Sequence, residues 1–256
     1  MTHSLFDLTG RTALVTGSSR GLGFAIAEGL AQAGARLVLN GLDKERLHAS
    51  AAALRAKGYA VEEAAFDATD EQAVMQAFAA LDEADIAVDI LVNNAGIQLR
   101  KPLVDFTLEE WDKVLRTNLT SAFLVGREAA KRMITAKRGG KVINIGSINS
   151  EVARATITPY TTAKGGIKML TRGMAAEWAE HNIQANAIGP GYMVTDMNAA
   201  LINNPTFDTW VKARTPSRRW GKPEELVGAA IFLASAASNY VNGHTIYVDG
   251  GLLSAV

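Results

Sequence analysis

Two periodicities alternate along the chain. Short runs rich in apolar and β-branched residues read as strands: RTALVTG (11–17), ARLVLN (35–40), AVEEAAFD (60–67), VDILVNN (88–94), GKVINIGS (140–147), IQANAIGPG (183–191) and HTIYVDGG (244–251). Several are apolar throughout, as strands covered on both faces are. Between them lie longer stretches with helical spacing. GFAIAEGLAQAGA closes on Gly34 and DKERLHASAAALRAKG on Gly58, both suited to end a helix. TDEQAVMQAFAALDEA opens at Thr69 with acids in its first turn, and PEELVGAAIFLAS opens on Pro223. Ile167, Leu170, Met174 and Trp178 share a helical stripe and read as core or interface. The alternation predicts right-handed βαβ units: one doubly wound Rossmann-type α/β domain over 1–256, with about seven parallel strands and helices on both faces.

One segment breaks the rhythm. Residues 192–223 are polar and aromatic, and so long an excursion is expected to serve as a lid or substrate loop. The 256 residues carry 26 basic and 26 acidic side chains, so no charge excess points to nucleic acid or a membrane surface. The sequence has no cysteine, which removes disulfides, thiolate nucleophiles and cysteine-bound metals. His3, His48, His181 and His244 are scattered without ligand spacing, so no metal is expected. The opening MTHSLFDLTGRTALV lacks a signal-peptide pattern and no apolar run has the length of a membrane span, so a cytoplasmic protein is expected.

Chemistry concentrates at three places. VTGSSRGLG follows the first strand and spaces Gly17, Gly21 and Gly23 as G-x-x-x-G-x-G. Such a loop either is a plain turn or lets the backbone approach a pyrophosphate at a helix N-terminus; its place at a strand–helix junction favours a dinucleotide. At the end of the second strand an acid usually meets the ribose 2′-OH of NAD. Here Asn40 and Gly41 stand there, while Arg20 sits in the loop. That combination favours a 2′-phosphate, hence NADP over NAD, unless Arg20 is a surface charge and Asp43 serves the ribose. Finally, Tyr160 and Lys164 lie one helical turn apart in ITPYTTAKGG. The pair is either a solvated helix face or a tyrosine whose pKa a nearby cation lowers.

Taken together, TGSSRGLG, NNAG (93–96), Asn118 in RTNLTSAFLV, INIGS ending at Ser147, Tyr160-x-x-x-Lys164 and NAIGPG (186–191) occur in the order found in the short-chain dehydrogenase/reductase family, which the chain resembles over nearly its whole length. The resemblance implies that Tyr160 is the catalytic acid/base and that Lys164 holds its pKa down and binds the nicotinamide ribose. It gives Ser147 the substrate oxygen and Asn118 a water on a proton path. It places Gly17, Ser19, Arg20, Gly21, Leu22, Gly23, Asn40 and Gly41 along the cofactor, and Asp67 at the adenine. Asn93, Ala95 and Gly96 then line the ribose, and Pro190, Gly191 and Thr195 border the nicotinamide. NNAG also reads as a tight structural turn. Leu22 stands where the family often has isoleucine, a conservative departure.

Within the family, longer stretches such as NNAGIQLRKPLVDF and RWGKPEELVGAAIFLAS resemble the gluconate 5-dehydrogenases, which interconvert D-gluconate and 5-keto-D-gluconate. This implies a small sugar-acid substrate, with Ser147, Asn149 and Tyr160 at its reacting end. A cation should meet its carboxylate. Arg100, just beyond NNAG, is the first candidate, against an ordinary exposed arginine; Arg154, Arg218 and Arg219 compete with it. A 3-oxoacyl-carrier-protein reductase, another polyol dehydrogenase, or a non-catalytic dinucleotide-sensing scaffold are the alternatives. The family's habit implies a homotetramer, for which the apolar DGGLLSAV end offers a surface.

Overall fold

The computed structural model describes residues 4–255, so His3 lies outside the described residues. Seven strands form one parallel sheet in the order β3-β2-β1-β4-β5-β6-β7. They are β1 (Thr12–Val15), β2 (Arg36–Asn40), β3 (Val61–Ala64), β4 (Ile90–Asn93), β5 (Gly140–Ile145), β6 (Ile183–Pro190) and β7 (Thr245–Val248). Each falls inside the run that predicts it. The helices are α1 (Gly21–Gln32), α2 (Lys44–Arg55), α3 (Glu71–Glu83), α4 (Leu108–Leu115), α5 (Ser121–Thr135), α6 (Thr158–Trp178), α7 (Ala199–Ile202), α8 (Pro205–Arg214) and α9 (Val227–Ala234).

The unbroken apolar strands have a direct cause. Successive strand residues point to opposite faces, and both faces are covered. Ala13, Val15, Leu37, Leu39, Ile90 and Val92 pack under α1, α2 and α9. The residues between them, Leu14, Val38 and Leu91, pack under α3, α5 and α6. Ile167 is buried, Met174 is part of that second layer, and Leu170 and Trp178 pack against it. The edge strand β7 is only half-buried along its length.

Helix ends follow local chemistry. Gly34 and Gly58 adopt φ of +105° and +88°, which glycine reaches without a Cβ penalty. The third helix starts one residue later than Thr69 indicates: Asp70 is the cap, accepting from the amides of Gln72 and Ala73. Pro223 does open its helical stretch, but as a short 3₁₀ turn before α9. Between α4 and α5 a single π-helical turn, Arg116–Thr120, widens the helix and carries Asn118.

Sheet order reverses direction at β1, between β2 and β4, which opens a crevice at the carboxyl ends of these strands. The glycine loop, NNAG, Ser147 and Gly191 all follow strand ends on this edge. Residues 192–222 leave the sheet after β6 and form α7, α8 and their connections, linked back by a parallel bridge of Met193 with Gly221. No helix among the described residues is long and apolar enough to cross a membrane.

Candidate active site

The glycine loop is built by its neighbours. Thr16 Oγ1 accepts from the amides of Asn94 (2.9 Å) and Ala95 (3.0 Å), and Asn94 Nδ2 donates to the carbonyls of Thr16 and Gly17. Asn94 lies so close that a Cβ on Gly23 would stand 2.4 Å from its Nδ2. Gly17 turns at φ +60°, and Gly21 turns at φ +58° with open space on its Cβ side. The loop thus presents bare backbone at the start of α1, where backbone N–H groups and the helix N-terminus favour a pyrophosphate. Ser19 accepts from Ser50 through its carbonyl (2.8 Å), and Leu22 packs against the core as a conservative replacement should.

Asn40 does not face the crevice. It is buried, accepts from the Gly17 amide through Oδ1 (3.2 Å), and donates to the carbonyls of Ala64 and Phe66 (3.0 Å each). It ties the glycine loop to β2 and β3, so its expected place at the ribose is corrected to a structural one. Gly41 lies against Ser19, whose Oγ would be 3.3 Å from an added Cβ, so this position does border the loop. Arg20 is exposed and pairs with Asp196 at 3.4 Å, across from the segment after β6. Asp43 caps α2 and pairs with Arg46, so it is not free for a ribose. Asp67, after β3, holds the Thr69 amide (2.8 Å).

Asn93 is also corrected. Its side chain turns into the core and donates to Asn144 Oδ1 (2.8 Å) and the Ala122 carbonyl (3.3 Å), leaving only main chain at this point for a ribose. Ala95 and Gly96 are half-buried at the crevice. A Cβ on Gly96 would stand 2.6 Å from Asn118 Oδ1, so glycine is required there by close approach. Pro190 ends β6, and Gly191 is pressed on Asp249, whose Cα would be 2.7 Å from a Cβ. Thr195 begins the short turn Asp196–Asn198.

Ser147, after β5, meets Tyr160 and Lys164 on α6, and the π-helical turn with Asn118 packs against that helix. Asn118 is buried; Nδ2 donates to the carbonyls of Ile97 and Val114 (2.9 Å each), and Oδ1 is buried with no protein partner. A buried acceptor without a partner is costly, and this one opens beside Gly96. Ser147 follows β5. Asn149 supports it: its amide donates to Ser147 Oγ (3.1 Å), and its Oδ1 accepts from that hydroxyl (3.3 Å). Asn149 Nδ2 is spent on the Val152 carbonyl, so Asn149 orients Ser147 rather than reaching outward.

Tyr160 stands on the first turns of α6, partly exposed, with the Lys164 ammonium 5.5 Å from its ring centroid. Burial pushes the phenol above its ordinary value; Ser147, within hydrogen-bonding reach, and the Arg100 guanidinium pull it back. Arg100 thus joins Lys164 as a cation near the phenol. Lys164 Nζ donates to the Ile145 carbonyl (2.6 Å), and burial lowers its pKa to about 8.

Of the four candidate arginines, two are engaged elsewhere. Arg219 grips Glu225 through both nitrogens (2.6 and 2.7 Å), and Arg218 donates to the Ala213 carbonyl. Arg100 donates to the Met197 carbonyl (3.3 Å) and Asn198 Oδ1 (3.4 Å). Arg154 lies over the Phe207 ring at 5.0 Å, where Tyr192, Phe207, Trp210 and Trp220 form an aromatic cluster. Sequence reading missed Thr16 and Asn94 as loop builders; the quoted NNAG held the signal for Asn94, while nothing local marks Thr16. No group of metal-ligating residues is present among the described residues.

Comparison with known proteins gives this crevice a family. A family model described as enoyl-(acyl carrier protein) reductase matches residues 17–253. Gluconate 5-dehydrogenase of Gluconobacter oxydans (strain 621H) is 47% identical over 98% of both chains. The chain belongs to the short-chain dehydrogenase/reductase family. It is an NAD(P)-dependent oxidoreductase of that family. A crystal structure of a gluconate 5-dehydrogenase from Burkholderia cenocepacia J2315 in complex with NADP and tartrate is 49% identical, with TM-score 0.96 over 99% of both chains. A 2-dehydro-3-deoxy-D-gluconate 5-dehydrogenase of Formosa agariphila is 43% identical over 100% of this chain and 97% of its own.

Proposed function

We propose that this protein is an NADP(H)-dependent oxidoreductase that interconverts D-gluconate and 5-keto-D-gluconate. The observation that carries the reading is the set of Ser147, Tyr160 and Lys164 at the crevice, with Arg100 on the neighbouring loop close enough for its charge to favour the phenolate. A cation beside the catalytic hydroxyl suits an anionic substrate whose carbonyl must sit at the same hydroxyl. The similarity to gluconate 5-dehydrogenases, one of them bound to NADP, supports both substrate and cofactor. Arg20 at the loop and no free acid at the end of β2 fit a 2′-phosphate.

The cofactor would lie along the glycine loop, with Gly41 and Arg20 at the adenosine end and Gly191 and Thr195 at the nicotinamide end; when bound it supplies the hydride. Tyr160 gives its proton to the substrate oxygen as the carbonyl becomes an alcohol, and takes it back in the reverse direction. Ser147, held by Asn149, donates a hydrogen bond to that oxygen and fixes its position. Lys164, its ammonium held at the Ile145 carbonyl beside the Tyr160 ring, would meet the nicotinamide ribose and favour the phenolate by its charge. Asn118 offers its unpartnered Oδ1 on the same side, where a water could relay protons. Residues 192–223 act as the lid: Asp196, Met197 and Asn198 already touch Arg20 and Arg100.

We also infer a homotetramer. Leu108 on α4, Phe123 on α5 and Met169 on α6 are exposed, the last two 43% and 60% accessible, and helices α4 and α5 both pack against α6, so this side of the molecule offers apolar surface to a partner copy. The C-terminal Leu252 is already buried within its own chain, so it contributes less to such a contact than the sequence indicates.

A reductase assay with NADPH and NADH across keto-sugar acids and an acyl thioester tests the reading. Turnover of 5-keto-D-gluconate with NADPH is expected. A clear preference for 2-dehydro-3-deoxy-D-gluconate, the substrate in the name of one relative, would replace the substrate and keep the reaction at C5. Activity on the thioester alone would overturn it.

A further inference from the structure

Arg154 is left over from the catalytic constellation, yet it is not an ordinary surface arginine. Its Nε is buried without a hydrogen-bond partner, and its guanidinium carbon sits 5.0 Å from the centroid of Phe207 on α8. Stacking on an aromatic face holds a guanidinium in place without neutralising it. The loop that carries it is stitched to the loop of Arg100 by the Lys101 amide donating to the Thr156 carbonyl (3.0 Å). Thr156 turns at φ +71°, a conformation β-branched residues rarely take. Strain of this kind persists where the surroundings enforce it, commonly at ligand sites.

The two guanidiniums feel one another: Arg154 is among the charges that lower the pKa of Arg100. Among the described residues, no carboxylate lies within salt-bridge distance of either. Both act on Tyr192, whereas only Arg100 acts on Tyr160. Arg154 lies on Phe207, which packs edge-on against Tyr192 just past β6, and Arg100 reaches the same segment at Met197 and Asn198. Two like charges facing one cleft without a counter-ion are unfavourable until an anion enters.

We propose that Arg154 is a specificity-determining residue that, together with Arg100, holds the terminal carboxylate of an extended sugar acid whose carbonyl sits at Tyr160. The inference rests on the sugar-acid reading above and adds a requirement on shape: the carboxylate must lie several carbons from the reacting carbonyl. Because Phe207 covers Arg154, seating the carboxylate also fixes the 192–223 segment over the substrate.

Titration calorimetry of the enzyme–NADPH complex with D-gluconate and with D-glucitol tests this, since the two differ in having COO⁻ or CH₂OH at one end. The wild type should bind gluconate more tightly than glucitol. Arg154→Met keeps an unbranched stem over Phe207 and removes the charge; it should weaken gluconate by about 10- to 150-fold, the range for a hydrogen bond to a charged group. Glucitol should change little, and Arg154→Lys should recover part of the loss. The KM for 5-keto-D-gluconate should rise in parallel. An Arg154→Met enzyme that keeps the gluconate preference overturns the proposal, as does one that loses both ligands equally. NADPH titration verifies that the variant is folded; should it not fold, comparison of Arg154→Gln with Arg154→Lys asks the same question. If the wild type prefers gluconate to glucitol but never reduces 5-keto-D-gluconate, the functional reading fails and the carboxylate seat stands. A wild type without that preference sinks the seat alone.

Discussion

Removing the side chain of Asn40 is expected to loosen the cofactor loop and the sheet at once. Asn40 is 2% exposed and its amide group makes three bonds: one from the Gly17 amide and one to each of the Ala64 and Phe66 carbonyls. In Asn40→Ala one donor and two acceptors lose their partner in a region closed to bulk water. Each buried group left unsatisfied costs about 1–3 kcal/mol. Water entering the space would recover part of this, so a total of about 3–6 kcal/mol is expected. For a chain of this size about 1 kcal/mol moves Tm by ~2–4 °C, so the drop should lie at about 6–24 °C. Circular dichroism melts of wild type, Asn40→Ala and Asn40→Leu measure it. Leucine restores volume but not the bonds, so both variants should fall together. NADPH titration by fluorescence should show weaker binding, because Gly17 N–H is no longer tied. A shift of only one or two degrees, or recovery in the leucine variant, would refute the view that polar satisfaction rather than packing holds this loop.

Tyr160→Phe should fold and bind NADPH but lose at least ~100-fold in turnover, the lower bound for general acid–base catalysis; near-normal turnover would remove Tyr160 from its role. Arg100→Ala should lower kcat/KM on 5-keto-D-gluconate by about 10- to 150-fold. It should also move the phenol's kinetic pKa upward, since a cation favouring phenolate is gone; an unmoved pH profile would count against it. Gly41→Asp places a carboxylate beside Ser19 and should shift preference from NADPH toward NADH by about one to two decades; a wild type favouring NADH would sink the cofactor reading. Lys141 is buried against Ser238 and Asn239 with its pKa lowered from 10.5 to about 8. A depressed lysine disfavours the folded state below 8, and that cost is relieved as pH rises toward the unfolded value. The Tm of wild type relative to Lys141→Met should therefore climb between pH 8 and 10, and a difference that stays flat or falls would contradict it.

The seven strands, the flanking helices and the order of the site motifs were legible in the chain because each is a local pattern. Strand residues such as Leu37, Val38 and Leu39 are apolar without alternation since helices cover both faces, and that shows in sequence as an unbroken run. Gly34 and Gly58 mark helix ends because their φ demands glycine. The spacing of Tyr160 and Lys164 places them on one helical face, whatever the rest of the chain does. What tertiary structure decided were the partners of polar side chains. Asn40 and Asn93 stand at strand ends where a cofactor contact is reasonable, yet bonds to Gly17, Ala64, Phe66 and Asn144, many residues away, turn both inward. The sequence placed a cation beside Tyr160 in the helix; the fold keeps Lys164 by the ring, ties its ammonium to the Ile145 carbonyl, and adds Arg100 from another loop. Choice among four arginines likewise waited for the fold, which gives Arg219 to Glu225 and Arg218 to a carbonyl and sets Arg100 and Arg154 against the segment after β6. Hydrophobic pattern fixes which face is buried; the direction in which a polar atom finds its partner depends on chain segments distant in sequence, and no local pattern encodes it.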